Sequence, residues 1–123
     1  MDEKNEYQLH LKDIHLSFGG IKALHGVTTG VKKGEIFSII GPNGAGKTCL
    51  LNCINRFYQP GEGQILFEGQ DITHLKPHRI ARLGIARTFQ NVELFGHMNV
   101  LDNIKLGAHV HLKSGSISGG IYY

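Results

Sequence analysis

Eight consecutive residues, Gly41-Pro42-Asn43-Gly44-Ala45-Gly46-Lys47-Thr48, follow the pattern G-x-x-x-x-G-K-[ST]. A triphosphate packs several negative charges close together. Backbone N–H groups can wrap those charges only where no side chain blocks the approach. Gly44, Ala45 and Gly46 keep that approach open. If a helix starts at Lys47, its first turn through Cys49 adds N–H groups with no partner inside the helix, together with the positive end of its dipole. Lys47 then reaches the β and γ phosphates. Thr48 offers its hydroxyl to a magnesium ion that also holds phosphate oxygens. The loop itself does not choose the base, which is read elsewhere in such sites.

The loop works only between a strand and a helix, and the flanking sequence supplies both patterns. Glu35, Ile36, Phe37, Ser38, Ile39 and Ile40 form a short apolar run bounded by glycines, expected as a strand buried on both faces. After the loop, KTCLLNCINRF places Leu50, Ile54 and Phe57 at helical spacing and stops before Gln59-Pro60-Gly61. Upstream, residues 8–18 alternate apolar and polar and read as a strand, and residues 21–31 read as a second, interrupted by Gly26. Residues 63–69 read as another strand and residues 85–89 as one more. Residues 77–83 read as a short helix with Pro77 in its first turn. Residues 98–108 read as a helix with Val100, Leu101, Ile104 and Ala108 on one apolar face. Ser and Gly dominate residues 114–120, which suits a loop.

The chain has 123 residues, 41% apolar and 19% charged, which is the size and balance of one globular domain. No apolar run is long enough to span a bilayer. The opening residues are acidic and polar, unlike a secretory signal, so a cytoplasmic location is expected. The net charge of +3 comes without a basic stripe, which does not support nucleic-acid binding. Cys49 and Cys53 lie four apart and would share a helix face. They read as small buried residues in a reducing compartment, because metal pairs use shorter spacings and need further ligands. The eight histidines read as solvated surface groups.

Taken together, GEIFSIIGPNGAGKTCLLNCINRFYQPGEGQILFEGQDI resembles the nucleotide-binding subunit of ABC transporters. The string RLGIARTFQNVELFGHMNVLDNI is similar to the ATP-binding subunits of branched-chain amino-acid importers. The resemblance covers residues 8–108. It implies an α/β P-loop fold of the ABC ATPase type with an N-terminal antiparallel β subdomain: residues 8–35 antiparallel, 35–90 the P-loop core, and 91–123 the start of a helical subdomain. It implies ATP and Mg as ligands. Phe18 matches the aromatic that stacks on adenine, and Gln90 matches the glutamine that completes the magnesium shell. The stretch opening on Asn91 and closing on Asn103 matches the part that contacts a membrane permease. A second copy or a paralogous ATPase subunit would complete each site, peripheral to the inner face of the membrane.

Such an ATPase also needs a signature segment, a second acidic motif, a catalytic glutamate and a switch histidine. Ile117-Ser118-Gly119-Gly120 resembles part of the signature but leads into Ile121 rather than Gln. No apolar run ending in Asp-Glu follows Gln90, so no catalytic residue is assigned here. The expectation is the N-terminal portion of a longer importer ATPase, in which residues 35–40 would leave an open apolar edge. By itself the chain is expected to bind nucleotide and hydrolyse nothing. A P-loop GTPase or kinase is a competing class; it requires a guanine-reading N/TKxD string, which this sequence lacks, or a nucleoside-acceptor pocket.

Overall fold

The computed structural model describes residues 6–88 and 94–108. The chain divides into two compact units, one through Ala86 and one from Arg87.

The first unit is built on an antiparallel sheet of four strands: β1 (Leu9–Phe18), β2 (Ile21–Val31), β3 (Glu62–Phe67) and β4 (Gln70–Asp71). Their order is β2-β1-β3-β4, so β1 is hydrogen-bonded on both sides. Its inward residues do not follow strict alternation. Leu11, Ile14 and Leu16 are all buried, yet positions 11 and 14 of a regular strand face opposite ways. A bulge resolves this. The ladders shift between Leu11 and Ile14 on the β2 side and between Lys12 and His15 on the β3 side. Asp13 absorbs the extra residue at φ 51°, a conformation that Asp tolerates better than most residues. Its N–H donates to Thr28 Oγ1 at 2.9 Å. The re-phased strand thus keeps three large aliphatic side chains in the core, each worth about 1.5–3 kcal/mol when fully buried.

Two helices of this unit add to the same core. They are α1 (Lys47–Ile54), which buries Leu50 and Cys53, and α2 (Pro77–Arg82), which buries Ile80. Pro77 sits in the first turn of α2, where its missing N–H costs nothing. Helix α1 ends earlier than its apolar spacing suggests. Arg56 takes φ 66° and turns the chain out of the helix, so Phe57 is exposed rather than part of an apolar face. Strand β4 extends the sheet by two residues that carry no strand pattern in the sequence. A tight turn at Glu68 and Gly69, both at positive φ, folds it back onto β3.

Residues 35–40 are the main departure. They are not part of the sheet, and Ile36 and Ile40 are 96% and 92% exposed. Their two-faced apolar pattern suits a strand with neighbours on both sides. Among the described residues no strand pairs with them, so they form no ladder. The strand expected over 85–89 is likewise absent: residues 85–88 carry no regular structure, and 89 lies outside the described residues.

In the second unit, α3 (Val100–Gly107) is capped by Asn99, whose Oδ1 accepts from Asp102 N–H at 2.8 Å. Asn103 Oδ1 accepts from Phe95 N–H at 3.0 Å, tying the preceding loop to the helix. Val100, Leu101 and Ile104 do form the expected apolar face, and all three are exposed. No described helix is long and apolar enough to cross a membrane.

The β3–β4 hairpin carries a pH-dependent lock. Buried Thr73 Oγ1 accepts from Ile65 N–H at 2.9 Å and donates to Asp71 Oδ1, which also accepts from Thr73 N–H. The side-chain and backbone bonds from Thr73 hold the Asp71 carboxyl below its ordinary value of 3.8. A carboxyl depressed on folding stabilises fully above its unfolded pKa and loses that contribution as pH falls through its folded pKa. Thr73→Val is therefore expected to cost roughly 1–3 kcal/mol at neutral pH, because it strands a buried N–H. In urea unfolding followed by circular dichroism, the gap to the parent narrows once the pH drops below 3.8. A gap independent of pH contradicts the lock.

Candidate functional site

The G-x-x-x-x-G-K-[ST] residues form a turn running directly into α1. Ala45 N–H donates to Pro42 O at 3.2 Å and closes the turn. The first intrahelical bond of α1 is Leu50 N–H to Gly46 O at 2.9 Å. The N–H groups of Lys47, Thr48 and Cys49 precede it and face out of the helix start, as any helix requires. No side chain caps this end, because Gly46 is the N-cap and has none. The end is thus suited to an anion rather than sealed by the protein itself.

Lys47 folds back across the loop. Its Nζ donates to Gly41 O and to Pro42 O, the latter at 2.7 Å. Two carbonyls at the start of the loop therefore hold the positive charge of its last lysine at the loop's opening residues. Sequence spacing suggested reach; the structure adds what anchors the ammonium.

The loop sits on β2 with little clearance. A Cβ placed on Gly46 would lie 2.9 Å from Ala23 O and 3.0 Å from Leu24 Cδ2. Gly46 also has φ +99°. Both features demand glycine at this position. The contact creates a pocket of about 320 Å³ between the start of β2 and the loop. Ile21, Lys22 and Ala23 form one wall; Asn43, Gly44 and Gly46 form the other; Lys47, Thr48 and Cys49 of α1 close it. Among the described residues its only charged lining groups are Lys22 and Lys47, both positive. The pocket is therefore electrostatically matched to an anion.

Sequence reasoning missed the β2 wall. Nothing in residues 21–23 marks them as phosphate neighbours, although Lys22 is a second cation. Phe18 closes β1, pairs with Ile21 across the hairpin, and is half exposed, with Tyr58 edge-on at 5.0 Å between ring centres. It lies beside the pocket rather than in its lining. Gly41 and Pro42 act through their carbonyls, and Thr48 is exposed at the pocket edge. Gln90 lies outside the described residues. Of the two cysteines, Cys49 is half-buried and Cys53 is buried. Burial, with the neighbouring Cys49 adding, pushes the Cys53 thiol up to about 11, so it remains a protonated core group.

The profile of the ABC transporter family matches residues 24–119. The chain belongs to that family. Its ABC ATPase fold is confirmed by solved structures. One is a nucleotide-free ATP-binding cassette of an ABC transporter, at TM-score 0.74 and 43% identity over 80% of this chain and 39% of that one. Another is an ATP-binding cassette in its ADP conformation, at TM-score 0.75 and 38% identity over 94% of this chain and 45% of that one. Among curated relatives, the high-affinity branched-chain amino acid transport ATP-binding protein BraF of Pseudomonas aeruginosa is 43% identical over 90% of this chain and 44% of its own length. The probable branched-chain amino acid transport ATP-binding protein LivG of Archaeoglobus fulgidus is 48% identical over 78% of this chain and 37% of its own. The ABC chain thus spans less than half the length of these relatives.

In this ABC chain, Gly46→Ala combines backbone strain with a collision against β2. The expected cost is roughly 1–3 kcal/mol of stability, read by urea unfolding, together with loss of inorganic tripolyphosphate binding by calorimetry. Parental stability and binding in the variant would show that the loop does not rest on β2.

Proposed function

We propose that this chain is the ATP-binding portion of an ABC importer ATPase serving branched-chain amino acids, and that it holds Mg-ATP in the pocket between the P-loop and β2. The observation that carries this reading is an uncapped helix start and the Lys47 ammonium, anchored on the loop's own carbonyls, lining one pocket whose charged residues, among those described, are both cationic. The relatives' names supply the nucleotide and the class of cargo.

The residues divide the work. The amides of Asn43 to Cys49 would cradle the phosphates, with Gly41 and Pro42 positioning Lys47. Phe18, half exposed beside the pocket, would stack on adenine. The magnesium donor set fits only with nucleotide present. Among the described residues the pocket lining holds the Thr48 hydroxyl and no carboxylate, so phosphate oxygens and water would supply most of the shell, as Mg²⁺ prefers. Gln90 would add its amide oxygen. When bound, the ion would neutralise charge on the phosphates.

Among the described residues the pocket lining includes no carboxylate or histidine that would take a proton from an attacking water; the role proposed for these residues is to bind and orient the nucleotide. In the intact subunit, ATP hydrolysis coupled to transport would draw on further residues and on a second copy or paralogous ATPase. The permease contact would fall near residues 91–103. Within that stretch Leu94, Phe95, Val100 and Leu101 are exposed apolar groups, suited to a membrane-bound partner. The location would be peripheral, on the cytoplasmic face of the membrane.

Equilibrium binding of a fluorescent ATP analogue tests the site. Lys47→Ala is expected to weaken binding at least about tenfold, the scale of a lost charge-assisted contact. Unchanged affinity would remove the basis for the assignment. Phosphate release by the 123-residue chain should not exceed that of the Lys47→Ala variant. Phe18→Ala should weaken ATP by about 1–3 kcal/mol, as stacked bases do, while leaving tripolyphosphate binding unchanged. Equal losses for both ligands would show that Phe18 does not read the base.

A further inference from the structure

The bulge that re-phases β1 has a second consequence, on the exposed side of the sheet. Asp13 and His15 of β1 and Glu62 of β3 each bring one donor atom into a group whose members all lie within 4.8 Å of one another. His15 and Glu62 are direct cross-strand partners. Asp13 reaches them because its positive φ sits inside the register shift. His15 Nε2 is 2.9 Å from Asp13 Oδ1.

Space has been left over these atoms. On β2, a Cβ at Gly26 would stand 2.9 Å from Asp13 Oδ1 and 3.4 Å from His15 Nε2. Glycine keeps that approach clear. A hollow of about 260 Å³ opens beside the group, with His15 and Glu62 among its lining. It shares only Lys22 with the P-loop pocket.

We propose that Asp13, His15 and Glu62 form a surface site for a divalent cation of the zinc class. One imidazole nitrogen and two carboxylates make a mixed N/O donor set, which suits Zn²⁺ and its neighbours better than the all-oxygen shell of Mg²⁺. Two carboxylates this close repel each other, and a dication between them offsets that repulsion. The ion takes the place of the proton shared by His15 Nε2 and Asp13 Oδ1. Ligand atoms around zinc stand roughly 3–4 Å apart. The donor atoms already lie within 4.8 Å of one another, and Glu62 is an exposed side chain. Three protein ligands leave the remaining position to water.

The test is calorimetric titration of Zn²⁺, and absorption titration of Co²⁺, into the untagged 123-residue chain. Cys49→Ser is introduced to remove the half-buried thiol, Cys53 being buried and protonated, and no nucleotide is added. One equivalent should bind, with a Co²⁺ ligand-field spectrum. His15→Ala and Glu62→Gln should each lower affinity by at least about tenfold, since even an outer-shell partner is worth 10–100-fold. Lys105→Ala, in the second unit, should leave Zn²⁺ affinity unchanged. Glu62 is exposed, so Glu62→Gln retains the parental circular dichroism and separates metal loss from unfolding. Absence of a stoichiometric site, or affinity unmoved by His15→Ala and Glu62→Gln, overturns the proposal.

Discussion

The contact between Gly46 and the backbone of β2 is the constraint on which the rest of this chain depends. The P-loop is a local structure, but it is only half of a pocket. Ala23 and Leu24 fix where the loop lies, because no atom larger than hydrogen fits at Gly46. That seat brings Ile21 and Lys22 over the loop and adds a second cation to the wall. It also joins the antiparallel sheet to α1, whose Leu50 and Cys53 then complete the core under Leu11, Ile14 and Leu16. Site geometry and core packing therefore rest on one close approach.

The second organising feature is the β1 bulge. It corrects the phase of the buried residues at the cost of one residue in a left-handed conformation. Inside, three aliphatic side chains meet the core. Outside, Asp13 and His15 come together beside Glu62. One local irregularity thus sets both faces of the strand.

Residues 35–40 show where a sequence pattern reads correctly for composition and still misleads for structure. Their apolar residues on both faces describe a strand enclosed by neighbours. A strand exists only as part of a ladder, and no described strand pairs with this one. Ile36 and Ile40 are exposed, with no strand beside them among the described residues. The same reasoning covers α3, where helical spacing and the Asn99 cap fix a helix but leave its apolar face exposed.

The sequence by itself determined what depends on near neighbours. The glycines, Lys47 and Thr48 encode a phosphate loop because the amides they present and the helix start they lead into lie within a few residues. The strands of the β1–β2 hairpin, α2 with Pro77, and the family likeness were legible for the same reason. Tertiary structure decided what depends on residues far apart in the chain. That includes the β2 wall of the pocket, the carbonyl anchors of Lys47, the early end of α1, the short β4, and the exclusion of 35–40 from the sheet. It also includes the histidines. Read one at a time, His15 is a surface group. Only the bulge and the β3 register place it between two carboxylates, because strand pairing joins residues 13, 15 and 62 across a separation that no local pattern records.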